Sequence, residues 1–99
     1  MARRRTASGA ANVALAWYDQ VQWAKLKEVA EDTENLDESY QAWRRGAEKC
    51  QRELRRNGVI AYRQLIDIDS LVAWCKASNR PINSESRAQY AAELASRSP

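Results

Sequence analysis

The stretch "IDIDSLVAWC", residues 66–75, sets two carboxylates, Asp67 and Asp69, one residue apart, and places a thiol, Cys75, a little further on. Paired carboxylates beside a thiol are the raw material of an oxygen-rich divalent-metal site or of general acid–base work. Either use requires more than this chain supplies. A two-carboxylate metal site wants further oxygen ligands or an imidazole, and the 99 residues include no histidine. The same lack removes the commonest general base and every Ser-His or Cys-His dyad. The helical alternative is complete in itself: Ile68, Leu71, Val72 and Cys75 recur at i, i+3, i+4 and i+7. A helix is therefore expected to begin near Ile68, with Asp67 or Asp69 capping its free N–H groups and opposing the positive end of its dipole.

The remaining nucleophile candidates are Cys50 and Cys75, the only thiols, which form no CxxC pair. Each falls on an apolar helical stripe, where neither a cation nor a helix N-terminus lowers its pKa, so both are expected as reduced core thiols. Gly9, Gly46 and Gly58 stand isolated, which leaves no Gly-rich phosphate loop. The chain is accordingly read as a non-enzyme with no cofactor and no metal.

Two groups of residues remain that could recognise a partner. Arg45, Lys49, Arg52 and Arg56 recur at spacings of four, three and four, a helical ridge that could track phosphates together with the tail residues Arg3, Arg4 and Arg5. Glu48 and Glu53 stand among these cations, and cations gathered toward a helix C-terminus are also what the dipole favours, so a solvated face is the plainer reading. The second group is aromatic. Four Trp accompany four Tyr with no Phe; Trp23 and Trp43 fall on core stripes, whereas Trp17, Tyr18 and Trp74 are candidates for an interface, where such side chains are enriched.

The elements that would position these residues follow from periodicity and punctuation. Asp19 reads as an N-cap with Gln22 three residues on, and Trp23, Leu26, Val29 and Ala30 share one helical face. Asn35 with Glu38 suggests a second capping box. From there Leu36, Tyr40, Trp43, Ala47, Cys50 and Leu54 alternate spacings of four and three, an a/d seam predicting a long helix from Leu36 to Asn57 closed by Gly58. Gly46 in its middle costs up to about 1 kcal/mol relative to Ala, tolerated or required by a close crossing. "VIAYRQLID", residues 59–67, is rich in β-branched and aromatic residues and reads as a strand, with Ile60, Tyr62 and Ile66 on one face. A lone strand leaves its backbone groups unpaired, so its partner is either residues 13–18 or the same strand of a second chain. Residues 78–81 end the helix begun near Ile68. A last helix, capped by Asn83 or Ser84, puts Ala88, Ala91, Leu94 and Ala95 on one face, with Tyr90 beside Leu94.

Composition bounds the rest. A 44% hydrophobic content in 99 residues suits one small folded domain, read here as a basic tail over residues 1–12 and a single domain over 13–99. Arg3, Arg4 and Arg5 account for the whole net charge of +3, so the body is balanced and the basic pI argues only weakly for an anionic partner. No run approaches the roughly 18 apolar residues that span a bilayer, and no apolar h-region follows the N-terminal arginines; the expected setting is the cytoplasm, without a membrane.

The succession "WYDQVQWAKL", "ESYQAWRRGAEK", "RRNGV", "IDIDSLVAWC" and "RAQYAAELA" resembles a group of small uncharacterised bacterial proteins with Trp-Tyr near the start, Tyr-x-x-Trp on a central helix and Ala-Trp-Cys near the end. The likeness runs from Trp17 to Ala95 and implies a bacterial cytoplasmic setting without implying an activity. Such proteins often begin their first two helices with Pro, where this chain has Gln20 and Asp37. The expectation is thus an α+β domain of about four helices and a small two-stranded sheet, acting as a protein-interaction module. Its partner would be a second copy of itself, or another protein, meeting the strand edge at Ile60 and Tyr62 beside Trp17, Tyr18 and Trp74. Nucleic-acid binding through the basic ridge and tail is the alternative.

Overall fold

A computed structural model describes residues 12–97. It has an α+β architecture: strand β1 (Asn12–Trp17), helix α1 (Gln20–Val29), a 3-10 turn (Thr33–Asn35), helix α2 (Tyr40–Arg56), strand β2 (Ile60–Leu65), and helices α3 (Ile68–Ala77) and α4 (Ser84–Arg97). The strand over residues 59–67 finds its partner within the chain. β1 and β2 pair in parallel, with Val13 opposite Ala61 and Trp17 opposite Leu65. Parallel strands need a long crossover between them, which α1 and α2 supply.

Local chemistry starts and stops each helix. Asp19 accepts from the Gln22 N–H at 2.8 Å, while the Gln22 side chain turns away to accept from the Ile68 N–H at 2.7 Å. Asp67, the residue raised by the opening motif, caps α3 by accepting from the N–H and hydroxyl of Ser70 at 3.0 and 2.7 Å. Those bonds hold its carboxyl below the ordinary carboxylate range. Asp69 sits within the first turn of α3 and pairs with Lys25 at 3.0 Å. Asn83 caps α4 through the Ser86 N–H at 3.0 Å. At the other ends, Gly58 (φ +82°) closes α2 with Gly58 N–H to Arg55 and Val59 N–H to Leu54. Asn79 (φ +56°) closes α3 with the same pair of bonds, from Asn79 N–H to Lys76 and from Arg80 N–H to Cys75. Both are the left-handed closure that recovers orphan carbonyls.

Packing alters three expectations. The long helix begins at Tyr40, because Ser39 is the residue that caps it, accepting from Ala42 N–H at 3.0 Å; Asn35 belongs to the 3-10 turn and Leu36 is extended. The a/d seam holds only at its start. Tyr40 and Trp43 pack on the core, but further along α2 the buried residue is Gln51 and Cys50 is exposed. The reason is the sheet edge beneath it: Gln51 Nε2 donates to the Ala61 carbonyl at 2.9 Å, and Arg63 Nε donates to Gln51 Oε1 at 3.1 Å. A buried carbonyl without a donor is costly, so the contact line shifts by one residue, from Cys50 to Gln51. On α4, Ala88 is exposed and the buried face runs through Arg87, Tyr90 and Ala91.

Gly46 is exposed and a Cβ built there would meet nothing within 4 Å. No close crossing requires it. The core itself joins Tyr18, Trp23, Leu26, Ile66, Ile68, Leu71, Cys75, Tyr90 and Ala91. Trp43 extends it by ring contacts to Trp17, Tyr18, Trp23 and Tyr40 at centroid distances of 5.1–5.6 Å. Among the described residues, no helix is long and apolar enough to cross a membrane.

Candidate functional site: the open edge of β1

The phase of the sheet is set by one bond, Ile66 N–H to the Trp17 carbonyl at 3.0 Å. With the register given above, the backbone groups of Val13, Leu15 and Trp17 face β2, and those of Asn12, Ala14 and Ala16 face away from it. On β2 the same alternation turns Ala61, Arg63 and Leu65 outward, and α2 covers that edge through Gln51 and Arg55, both donating to the Ala61 carbonyl. The outer edge of β1 has no such cover: among the described residues, no hydrogen bond reaches the outward backbone groups of Ala14 and Ala16.

That edge forms one side of a groove of about 370 Å³. One wall is Trp43 of α2, half-buried as the hub of the aromatic cluster. The opposite wall is the first turn of α4, Ser84, Arg87 and Ala88, and one end is bounded by Leu36 and Asp37. Ala14 and Ala16 line the groove where they pack against the core.

The α4 wall is held by a buried ion pair. Arg87 spans the Asp32 carboxylate with two bonds, at 2.8 and 3.1 Å, and the Ser84 N–H adds a third at 3.1 Å. The two side chains are only 9% and 10% exposed. Bidentate pairing of this kind fixes orientation as well as charge, and it holds the Asp32 carboxyl below its usual range. Next to it, Glu31 and Ile82 exchange two further bonds, Glu31 N–H to the Ile82 carbonyl at 2.8 Å and Ile82 N–H to Glu31 Oε2 at 2.9 Å. Tyr18, under the groove, is pushed up to about 12, chiefly by burial, with Arg87 opposing and Asp32 adding to the rise. Its phenol is a neutral hydroxyl at physiological pH.

The residues singled out as an interface are dispersed. Trp17 and Tyr18 are 4% and 3% exposed and serve the interior; Trp17 lies against Trp43 and under the Arg63 guanidinium at 4.1 Å. Trp74 is half-buried between α3 and α4, donating to Glu93 at 3.2 Å and lying 5.2 Å from Tyr90. Ile60 and Tyr62 are exposed, at 58% and 40%, and on the outer edge of their strand the Ala61 carbonyl is taken by Gln51 and Arg55. On β1, the outward backbone groups of Ala14 and Ala16 have no such partner among the described residues. Arg45, Lys49, Arg52 and Arg56 line one exposed face of α2, whereas Arg3, Arg4 and Arg5 lie outside the described residues. Of the two thiols, Cys75 is buried and Cys50 is not.

Sequence reasoning missed Asp32, Arg87 and Gln51. Asp32 and Arg87 are polar residues with no local signal of burial, and only their pairing across the fold buries them. No group of three or more His, Cys, Asp or Glu side chains gathers among the described residues. The chain matches no family model, no curated protein and no solved structure.

Proposed function

We propose that the chain is a small protein-interaction module that takes up an extended polypeptide segment on the open edge of β1. The observation that carries this reading is the pair of backbone positions, Ala14 and Ala16, whose outward groups have no partner among the described residues, at the side of a groove lined by Trp43 and the start of α4. An added strand would gain main-chain bonds there, with side-chain preference coming from the walls, the logic of β-augmentation. A bare strand edge is otherwise a liability that proteins cover or interrupt. The favoured occupant is a flexible segment of another protein with a bulky apolar residue for the groove that Ala14 and Ala16 line. A second copy fits less well, since its own β1 is lodged between Trp43 and α4, and two such edges would meet wall against wall.

The register supplies a sharp test. Ala14→Pro deletes a donor that faces the groove, which an edge strand tolerates, whereas Leu15→Pro deletes one that faces β2. A displayed library of random heptapeptides is selected on the wild-type chain and screened against Ala14→Pro, with circular dichroism to confirm folding. Peptides that bind the wild type and lose the folded Ala14→Pro variant are expected, together with slowed amide exchange at Ala14 and Ala16. Failure to enrich any peptide, or equal binding to both proteins, would refute the reading. Sedimentation equilibrium gives the competing result: a dimer dissolved by Ala14→Pro would make the occupant a second copy.

A further inference from the structure

The basic face of α2 is separate from the groove and has its own chemistry. Arg45, Lys49, Arg52 and Arg56 lie within a narrow arc of the helix surface and are all exposed. At about 1.5 Å per residue they form a row roughly 16 Å long. The sequence alone allowed the neighbouring acids to neutralise them, but the side-chain pairing is otherwise. Glu48 turns to Arg44 at 3.2 Å and to Arg63 at 3.9 Å, and Arg55 is drawn to the Ala61 carbonyl at 3.5 Å. Among the described residues, none of the four ridge cations has an ion pair or a hydrogen-bonded side-chain partner. Within α2 itself, Glu53 is the acid left beside the row.

We infer that this ridge binds the phosphate backbone of a nucleic acid. Regularly spaced cations on a rigid rod match a regularly spaced polyanion, and three of the four are Arg, whose planar guanidinium suits phosphate oxygens. A lipid surface is disfavoured because a helix lying on a membrane inserts an apolar face, and the ridge has no large apolar residue within it. The phosphate contacts of such a row are driven by counterion release and carry no sequence information themselves.

The experiment is a fluorescence anisotropy titration of a labelled 20-base-pair duplex with the full chain at several salt concentrations. Four phosphates neutralised by the ridge contribute a slope of about −3.6 in log K against log salt, or about a 150-fold loss between 50 and 200 mM. Arg45→Gln/Arg52→Gln, at exposed positions without side-chain partners, is expected to keep the wild-type thermal melt. It should make the slope shallower by about 1.8. Three results would overturn the inference: no binding at 50 mM salt; an unchanged slope in that variant, with the loss confined to Arg3→Ser/Arg4→Ser/Arg5→Ser; or ridge-dependent binding to poly-glutamate or phosphatidylserine vesicles as tight as to the duplex. Binding here is independent of the groove, so Ala14→Pro should leave it intact.

Discussion

Removing Asp32 is the perturbation that most directly probes how the groove is held. Asp32→Ala leaves the Arg87 guanidinium, 9% exposed, without a counter-charge, and strips three bonds of 2.8–3.1 Å from the start of α4. Breaking one side of a buried pair costs about 3–5 kcal/mol, because the remaining charge stays desolvated. A domain of this size has only about 5–15 kcal/mol of stability. Each kcal/mol moves the melting temperature of a small domain by about 4–8 °C, so a fall of at least about 12 °C is expected by calorimetry or circular dichroism. Asp32→Ala/Arg87→Met removes both charges and should cost less than the two single changes together, with a coupling of about 1–3 kcal/mol. The pH dependence follows from the lowered Asp32 pKa. A carboxylate held below its unfolded value contributes stability above about pH 4 and loses it as pH falls through the folded value. The gap between wild type and Asp32→Ala should therefore narrow in acid. A single-variant cost under 1 kcal/mol, additive singles, or a gap constant down to pH 2 would refute the account of this pair.

Three further outcomes are expected. Gly46→Ala should stabilise by about 0.5–1 kcal/mol in a urea melt, since the site is exposed, helical and open to a Cβ; a loss would mean that something does approach it. In the native protein a thiol reagent should modify Cys50 promptly and Cys75 only on unfolding, because Cys50 is exposed while burial pushes the Cys75 thiol up. Tyr18 titrates near 12 when folded and near 10 when unfolded. Its contribution is thus fully present below pH 10 and lost between pH 10 and 12, about 2–3 kcal/mol in all, and Tyr18→Phe should flatten that part of the stability–pH curve.

Much of the frame was legible before any coordinates. Helix starts at Asp19, at Asp67 or Asp69 and at Asn83 or Ser84, and the stop at Gly58, are decided by groups within a few residues of one another, so capping side chains or a left-handed glycine mark them in the sequence, and the structure selects Asp67 and Asn83. The stripes Trp23–Leu26 and Ile68–Leu71–Cys75 are buried as their spacing requires, and the second strand stands where β-branched residues put it. What the chain alone left open is what depends on partners far apart in sequence. The choice between pairing β2 with residues 13–18 or with another chain was settled by packing. The exchange of Gln51 for Cys50 on the buried side of α2 comes from a carbonyl ten residues away that needed a donor. Asp32 and Arg87, 55 residues apart, have nothing in their local surroundings to mark them as buried. The open edge of β1 and the groove beside it exist only once the register and both walls are in place. Short-range bonds write the elements into the sequence; burial, edge and charge pairing arise between elements, and there the tertiary structure decides.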